Sequence, residues 1–177
     1  MLKQLIPKRT ITSIHKNINI LGLDNNTGGK IVKNMTENIS PFSQQLLDIQ
    51  VISVDYGKLT TFLPFKPEFT GNPKIPSIHG GIIASLLDHT SGFAAWSTLP
   101  DTKHVLSTIN INVNYLLPAP CVGLIAEGSL IHAGNKIITA DAKIYTEEEP
   151  EKLLAISRAT FHINKIPKGT NIDNWLS

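Results

Sequence analysis

One carboxylate stands in the middle of a strongly apolar stretch of the chain. Asp88 directly follows Leu86 and Leu87, and Phe93 to Trp96 come shortly after it. A carboxylate among such side chains must be paired, hydrogen-bonded or shifted in pKa. Partial burial would also make it more basic. Asp88 is therefore a candidate nucleophile or general base, and the alternative is a point where a helix reaches the surface.

A second candidate group lies at the start of the same stretch, at His79-Gly80-Gly81. Two glycines leave backbone N–H groups unobstructed at the positive end of a helix. Such an N–H can stabilise the negative oxygen of a reacting carbonyl by about 3 to 4 kcal/mol. The plainer interpretation is a tight turn in which His79 caps the helix.

The surrounding pattern predicts the elements that hold these groups. A helix is expected over 79–98, and its apolar residues spread around most of the circumference, which is typical of a buried helix. Strands are expected at 49–56 and 58–66 before it, and at 107–115, 121–132, 136–146 and 153–163 after it. The fold class is therefore α+β, with one antiparallel sheet wrapped around one long helix.

The predicted strand 107–115 alternates strictly between apolar and polar residues. This pattern puts Thr108 on the polar face, beside Asn110, and Ile109, Ile111 and Tyr115 on the other face.

Composition excludes several classes of protein. The 177 residues carry a net charge of +2, which is too little for a nucleic-acid partner. No apolar run reaches the ~18 to 20 residues of a membrane-spanning helix. Cys121 is the single cysteine, which fits a reducing compartment and predicts a cytoplasmic protein. No metal or cofactor is implied, because His79, His89, His104 and His132 lack ligand spacing with cysteine or carboxylates.

The chain divides into three parts by the character of its sequence. Residues 1–39 are basic, poor in acids and without periodicity, so they are expected to form an N-terminal extension. An organellar presequence is the alternative for this segment. The predicted domain spans 40–164, beginning with a short helical segment at Ser40-Pro41, and a tail follows at 165–177.

The spacing His79-Gly80-Gly81, five residues, Leu87-Asp88 and then Gly92 resembles the motif of the PaaI-like acyl-CoA thioesterases. The similarity extends from about Ser40 to Ile163 and includes the segment Asn114 to Pro120. It implies the hotdog fold and hydrolysis of an acyl-CoA to a free acid and CoA.

The resemblance also implies a role for each motif residue. Asp88 would act as base or nucleophile, Gly80 would polarise the thioester carbonyl, and Thr108 would help to place water. An amide side chain before the histidine often assists, and Asn72 is the nearest one here. His79 and Gly81 would contact substrate. His89 points about 100° away from Asp88 on the helix and is left outside the site.

Helix geometry predicts a site shared between subunits. Gly80 and Asp88 are eight residues apart, so about 12 Å separates them along the helix axis. One carbonyl cannot reach both, and a homodimer or homotetramer would bring the two groups together from different copies. Two other functions stay open: a non-catalytic acyl-CoA-binding module, and a hydratase or dehydratase of acyl thioesters that uses His79.

Overall fold

Six strands and one long helix make up the described part of the chain. The structure is a computed structural model that describes residues 42–99 and 103–166. Its elements are β1 Gln50–Asp55, β2 Lys58–Leu63, α1 Gly80–Trp96, β3 His104–Tyr115, β4 Leu124–Ala133, β5 Ile137–Tyr145 and β6 Ala155–Lys165.

The strands form one antiparallel sheet in the order β1-β2-β4-β5-β6-β3. Asp55 pairs with Lys58 across the first hairpin, and Gly57 turns there at a φ of 69°, which favours glycine. The chain then crosses over through α1 to the far edge, so β3 has β6 as its only strand neighbour within the described residues. The predicted sheet and helix are confirmed. β3 begins at His104 instead of Ser107.

One side of α1 packs into the concave face of the sheet. The helix residues buried there are Ile83, Leu86, Leu87, Thr90, Ser91, Ala94 and Ala95. Gly128 in β4 permits this close approach, because a Cβ at that position would lie 2.6 Å from the carbonyl oxygen of Thr90. Close packing between Gly128 and Thr90 therefore fixes the distance between α1 and the sheet at this point.

The expectation of a helix buried on all sides is wrong for the opposite face of α1. Ile82, His89, Phe93 and Trp96 are only partly buried. Spacings of three, four and seven residues place them on one stripe, and Phe93 and Trp96 on this stripe still pack against Val51, Val54 and Leu59 at the margin of the sheet. Apolar composition alone did not separate this stripe from the sheet-facing one, because both are apolar.

The predicted strict alternation in β3 is also wrong, because a bulge interrupts the strand. The pairing register with β6 shifts between Thr108 and Asn110, and Ile109 is left 56% exposed. A bulge inserts one extra residue and so exchanges the two faces of the strand beyond it. Thr108 therefore points to the helix on the same side as Ile111 and Tyr115.

Both ends of the chain lie outside the described residues. The predicted extension at 1–39 is among them, as is most of the tail from residue 167 onward. The short predicted helical segment is present as a single π-helical stretch, Phe42–Leu47. Within the part that the structure describes, no helix combines the length and apolarity needed to span a bilayer.

Candidate active site

Asp88 lies half-buried in the middle of α1 and accepts one hydrogen bond from the sheet. The hydroxyl of Thr108 donates to its Oδ1 over 3.1 Å. Burial raises the pKa of Asp88, and the hydrogen bond from Thr108 opposes that rise. Within residues 42–99 and 103–166, Oδ2 has no hydrogen-bond partner. The carboxylate therefore has one oxygen held in place and one available for chemistry.

The start of α1 presents a backbone donor. His79 is the N-cap, and its Nδ1 accepts the N–H of Gly81 over 2.9 Å. This hydrogen bond uses the Gly81 donor and requires the proton of His79 to lie on Nε2. The N–H of Gly80 has no acceptor among the described residues. It is therefore the free donor at the positive end of the helix.

Tyr115, which the sequence did not indicate as a site residue, contacts the start of α1. Its hydroxyl donates to the carbonyl oxygen of Gly80 over 3.0 Å. A Cβ on Gly80 would lie 3.4 Å from the tyrosine ring, so the ring packs directly against this glycine. The bulge in β3 was the missing signal, because strict alternation gave no reason to place Thr108 and Tyr115 on one face.

Asn72 lies in the loop that precedes α1. The backbone of this loop folds back on itself, because Gly71 N–H bonds to the carbonyl of Ser77 over 2.8 Å. Gly71 thereby lies against His79, but the side chain of the next residue, Asn72, accepts the N–H of Lys74 and is exposed. No hydrogen bond of the described residues joins it to Gly80 or Asp88.

Two cavities adjoin these groups. The first, here called the Asp88 cavity, measures about 280 Å³ and is lined by Ser85, Asp88, His89, Gly92, Phe93, Trp96, Leu106, Thr108 and Phe161. The second, the Gly80 cavity, measures about 310 Å³ and is lined by Ile78, Gly80, Ile83, Tyr115, Leu116, Leu117, Pro118, Ala119, Leu154 and Ala155. The carboxylate and the backbone donor therefore open into different cavities of one chain.

His89 belongs to the Asp88 cavity although helix spacing had left it outside the site. Burial lowers the pKa of His89 to about 4. The side chains of Asp88 and His89 diverge by about 100° around the axis, but both border the same hollow. A residue one position from a catalytic candidate can thus line its cavity without pointing in the same direction.

A larger cavity, about 760 Å³, lies over the outer face of the sheet. Two exposed ion pairs cross it, Lys143 with Glu127 at 2.9 Å and Arg158 with Asp141 at 2.7 Å. It contains none of the six predicted site residues. Among the described residues, no three His, Cys, Asp or Glu side chains are placed to hold a metal ion.

A six-stranded antiparallel sheet wrapped around a single helix, with a carboxylate in mid-helix and a free N–H at its start, is the arrangement of a hotdog enzyme. The family model described as "Thioesterase superfamily" matches residues 76–152. This match includes α1 and the strand β3, which carries both Thr108 and Tyr115.

Curated relatives agree with the family model. The chain is 29% identical over 149 residues to the medium/long-chain acyl-CoA thioesterase YigI of Escherichia coli, covering 76% of this chain and 92% of YigI. It is 32% identical over 125 residues to the 1,4-dihydroxy-2-naphthoyl-CoA hydrolase of Listeria monocytogenes, covering 69% of this chain and 95% of that one.

Solved structures share the fold. The PaaI protein of the phenylacetic acid degradation operon of E. coli matches with a TM-score of 0.65 and 24% identity, covering 79% of this chain and 96% of PaaI. The chain belongs to the thioesterase superfamily.

Proposed function

We propose that this protein hydrolyses acyl-CoA thioesters, with Asp88 as the general base and the N–H of Gly80 as the oxyanion donor. The observation that carries the proposal is the state of Asp88, a half-buried carboxylate held at Oδ1 by Thr108 with its pKa raised. A carboxylate of raised pKa accepts a proton from water better than an ordinary one.

The geometry supports the following sequence of steps. The thioester oxygen binds the Gly80 N–H, and Oδ2 of Asp88 takes a proton from water as the water oxygen bonds to the carbonyl carbon. The negative charge of the tetrahedral intermediate rests against the Gly80 donor. The intermediate then expels the CoA thiolate, and the proton held by Asp88 passes to that sulfur.

Thr108, Asn72, His79 and Gly81 have supporting roles in this proposal. Thr108 orients the carboxylate, and His79 fixes the start of α1 by capping Gly81. Because Nδ1 of His79 is used by the cap, the residue is poorly suited to the acid–base role that a hydratase would require of it. Asn72 would contact the substrate from the loop that precedes His79.

We also propose that two copies form each site, as a homodimer or within a homotetramer. Thr108 lies beside Asp88, and Tyr115 lies beside Gly80, toward opposite ends of the edge strand β3. An antiparallel pairing of two β3 edges, centred between Ile111 and Asn112, places Thr108 of one copy opposite Tyr115 of the other. The Asp88 of one copy thus approaches the Gly80 of its partner.

The proposed compartment is the cytoplasm. The argument is the single cysteine, Cys121, which suits a reducing environment. Expression of the full chain with a C-terminal fluorescent tag would test it, and import into an organelle would favour the presequence interpretation of residues 1–39.

The function is tested by assaying purified protein with acetyl-, octanoyl-, palmitoyl- and benzoyl-CoA. We expect release of CoA from at least one substrate, and a loss of about a hundredfold or more in kcat for Asp88→Asn. Asp48→Asn is the matched control, since Asp48 is exposed and its φ of 60° suits asparagine as well as aspartate. Binding of acyl-CoA without turnover would contradict hydrolysis and favour a binding module.

A further inference from the structure

The first turn of α1 is the part of the helix that its own sequence holds least firmly. It begins with Gly80 and Gly81, and glycine is the least favourable helix residue apart from proline. Helix ends also fray, because their first N–H groups lack partners inside the helix. The oxyanion donor of the proposed reaction is the N–H of Gly80, so this donor stands where the backbone has most freedom to move.

Hydrogen bonds hold the two peptide groups that flank the Cα of Gly80. In the first group, the carbonyl of His79 accepts the N–H of Ile82 over 2.9 Å. In the second group, the N–H of Gly81 donates to Nδ1 of His79 over 2.9 Å. The other end of this second group, the carbonyl of Gly80, accepts the hydroxyl of Tyr115 over 3.0 Å. Because a peptide group is planar, contacts at both ends fix it, and with it the direction of the free Gly80 N–H.

Tyr115 supplies the contact that comes from outside the helix and its cap. Among the described residues, no other hydrogen bond reaches the first turn, 80–83, from another element. The tyrosine ring also lies against Gly80, since a Cβ built on that glycine would be 3.4 Å from it. Both residues line the Gly80 cavity, where the thioester oxygen would bind. The tyrosine therefore restrains the backbone at the wall of the proposed site.

Packing alone does not explain this tyrosine. Tyr115 is 54% exposed, so its ring adds little apolar burial to the described domain. It adds instead a donor at a fixed point of β3, seven residues from Thr108, which holds Asp88. One strand thereby positions both reacting groups, the carboxylate through one hydroxyl and the backbone donor through the other.

Resting on the proposed function, we propose that Tyr115 is a positioning residue for hydrolysis. Its hydroxyl holds the peptide group between Gly80 and Gly81, so that the N–H of Gly80 is aimed at the thioester oxygen before the substrate arrives. An oxyanion donor works only when it lies about 2.7 to 3.1 Å from the place that the charged oxygen will occupy. Because that hydrogen bond strengthens as charge develops, a misplaced donor lowers kcat and leaves KM nearly unchanged.

The first test removes the hydroxyl and keeps the ring. With the best acyl-CoA substrate, Tyr115→Phe should lower kcat by about tenfold and change KM by less than about twofold. Tyr56→Phe is the matched control and should leave kcat unchanged. Tyr56 is 56% exposed in the first hairpin, and its hydroxyl makes no hydrogen bond among the described residues. If the phenylalanine variant does not fold, Tyr115→Met, which also lacks the donor, is judged in the same way.

The second test asks whether Tyr115 acts through the N–H of Gly80. Gly80→Pro lacks this N–H, so adding Tyr115→Phe to it should change the residual kcat by less than about twofold. Isotope-edited infrared spectroscopy gives a direct signature of the same contact. The probe is an acyl-CoA analogue with an isotope-labelled ketone, in which a methylene group replaces the thioester sulfur. Its carbonyl stretch should be lowered by hydrogen bonding in the wild type and lowered less in Tyr115→Phe.

Four results would each overturn the proposal while leaving hydrolysis intact. Three are a kcat of Tyr115→Phe equal to that of the wild type, a full further loss of kcat when this change is added to Gly80→Pro, and an unchanged carbonyl stretch in the folded variant. The fourth is a loss of kcat that disappears at high protein concentration, because Tyr115 would then stabilise the subunit interface instead. Absence of turnover with every acyl-CoA would contradict the proposed function itself.

Discussion

Thr108 reaches Asp88 across the helix–sheet interface, and its hydroxyl donates to Oδ1 over 3.1 Å. The contact exists because a bulge at Ile109 shifts the register of β3 against β6. Without that extra residue, Thr108 and Tyr115 could not both face α1, since seven positions separate them and faces alternate every residue. The bulge thus lets one strand contact both the start and the middle of α1.

Removing the hydroxyl of Thr108 should weaken catalysis without unfolding the protein. We expect Thr108→Val to lower kcat by about tenfold or more, because the carboxylate then loses the contact that holds its Oδ1 in position and its other oxygen is no longer aimed at the reacting water. Thr108→Ser keeps the donor and should stay within about threefold of the wild type. Steady-state kinetics on the best substrate checks this, and equal activity of the valine variant would show that the contact is incidental.

The activity should fall on the acid side as Asp88 takes up a proton. The ionised carboxylate is the active form and burial raises its pKa, so the acid limb of kcat/KM should lie above the ordinary value of 3.8. Thr108→Val removes the interaction that opposes this rise, and its acid limb should move to still higher pH. A pH profile of both proteins measures this. A valine variant with an unmoved or lowered limb would contradict the coupling between the two residues.

Asp88 should lower the stability of the fold at neutral pH. Because its pKa is raised by burial, the folded protein holds this proton more tightly than the unfolded chain does. The stabilisation that the protonated carboxyl of Asp88 gives the fold is complete below pH 3.8. It is lost as the pH rises through the raised pKa of the folded protein. We therefore expect Asp88→Asn to have a higher Tm than the wild type at pH 7, with the difference closing in acid. A lower Tm at pH 7 would mean that the carboxylate is needed for packing.

Deleting residues 1–36 should leave a folded and active enzyme. The sequence changes character near Ser40, and the described domain packs its own helix and sheet from Phe42 onward. Circular dichroism, size-exclusion chromatography and the CoA-release assay compare the two lengths. Aggregation of the shortened protein, or its conversion to an inactive monomer, would assign the extension to the core or to the subunit interface.

The sequence predicted the elements better than it predicted which side chains meet. The α1 helix, the hairpin at Gly57 and the six strands followed from periodicity and turn residues, because each is a local pattern. The bulge at Ile109 was not predictable, because the alternation around it is unbroken and the shift depends on pairing with β6. The contact of Tyr115 with Gly80 was not predicted, because it depends on that bulge. The place of His89 in the Asp88 cavity was not predicted either, because the cavity forms between elements that are distant in the sequence.

The central claim is that the Gly80 donor of one copy and the Asp88 carboxylate of another form one site. Two inactive variants test it. Gly80→Pro removes the N–H at the first helical position, where proline is tolerated, and His79 already has the extended ψ of 134° that proline requires before it. Gly80→Ala is the control that keeps the N–H, since its Cβ would meet the Tyr115 ring at an ordinary 3.4 Å.

The decisive measurement mixes Gly80→Pro with Asp88→Asn protein and assays CoA release after subunit exchange has been confirmed by native mass spectrometry. In a mixed dimer one site combines the intact Gly80 of one copy with the intact Asp88 of the other, while the second site carries both changes. An equal mixture, in which about half of the dimers are mixed, should therefore recover about a quarter of the wild-type activity. Activity no higher than the sum of the two parent variants, although both are folded and exchanged, would contradict the shared site.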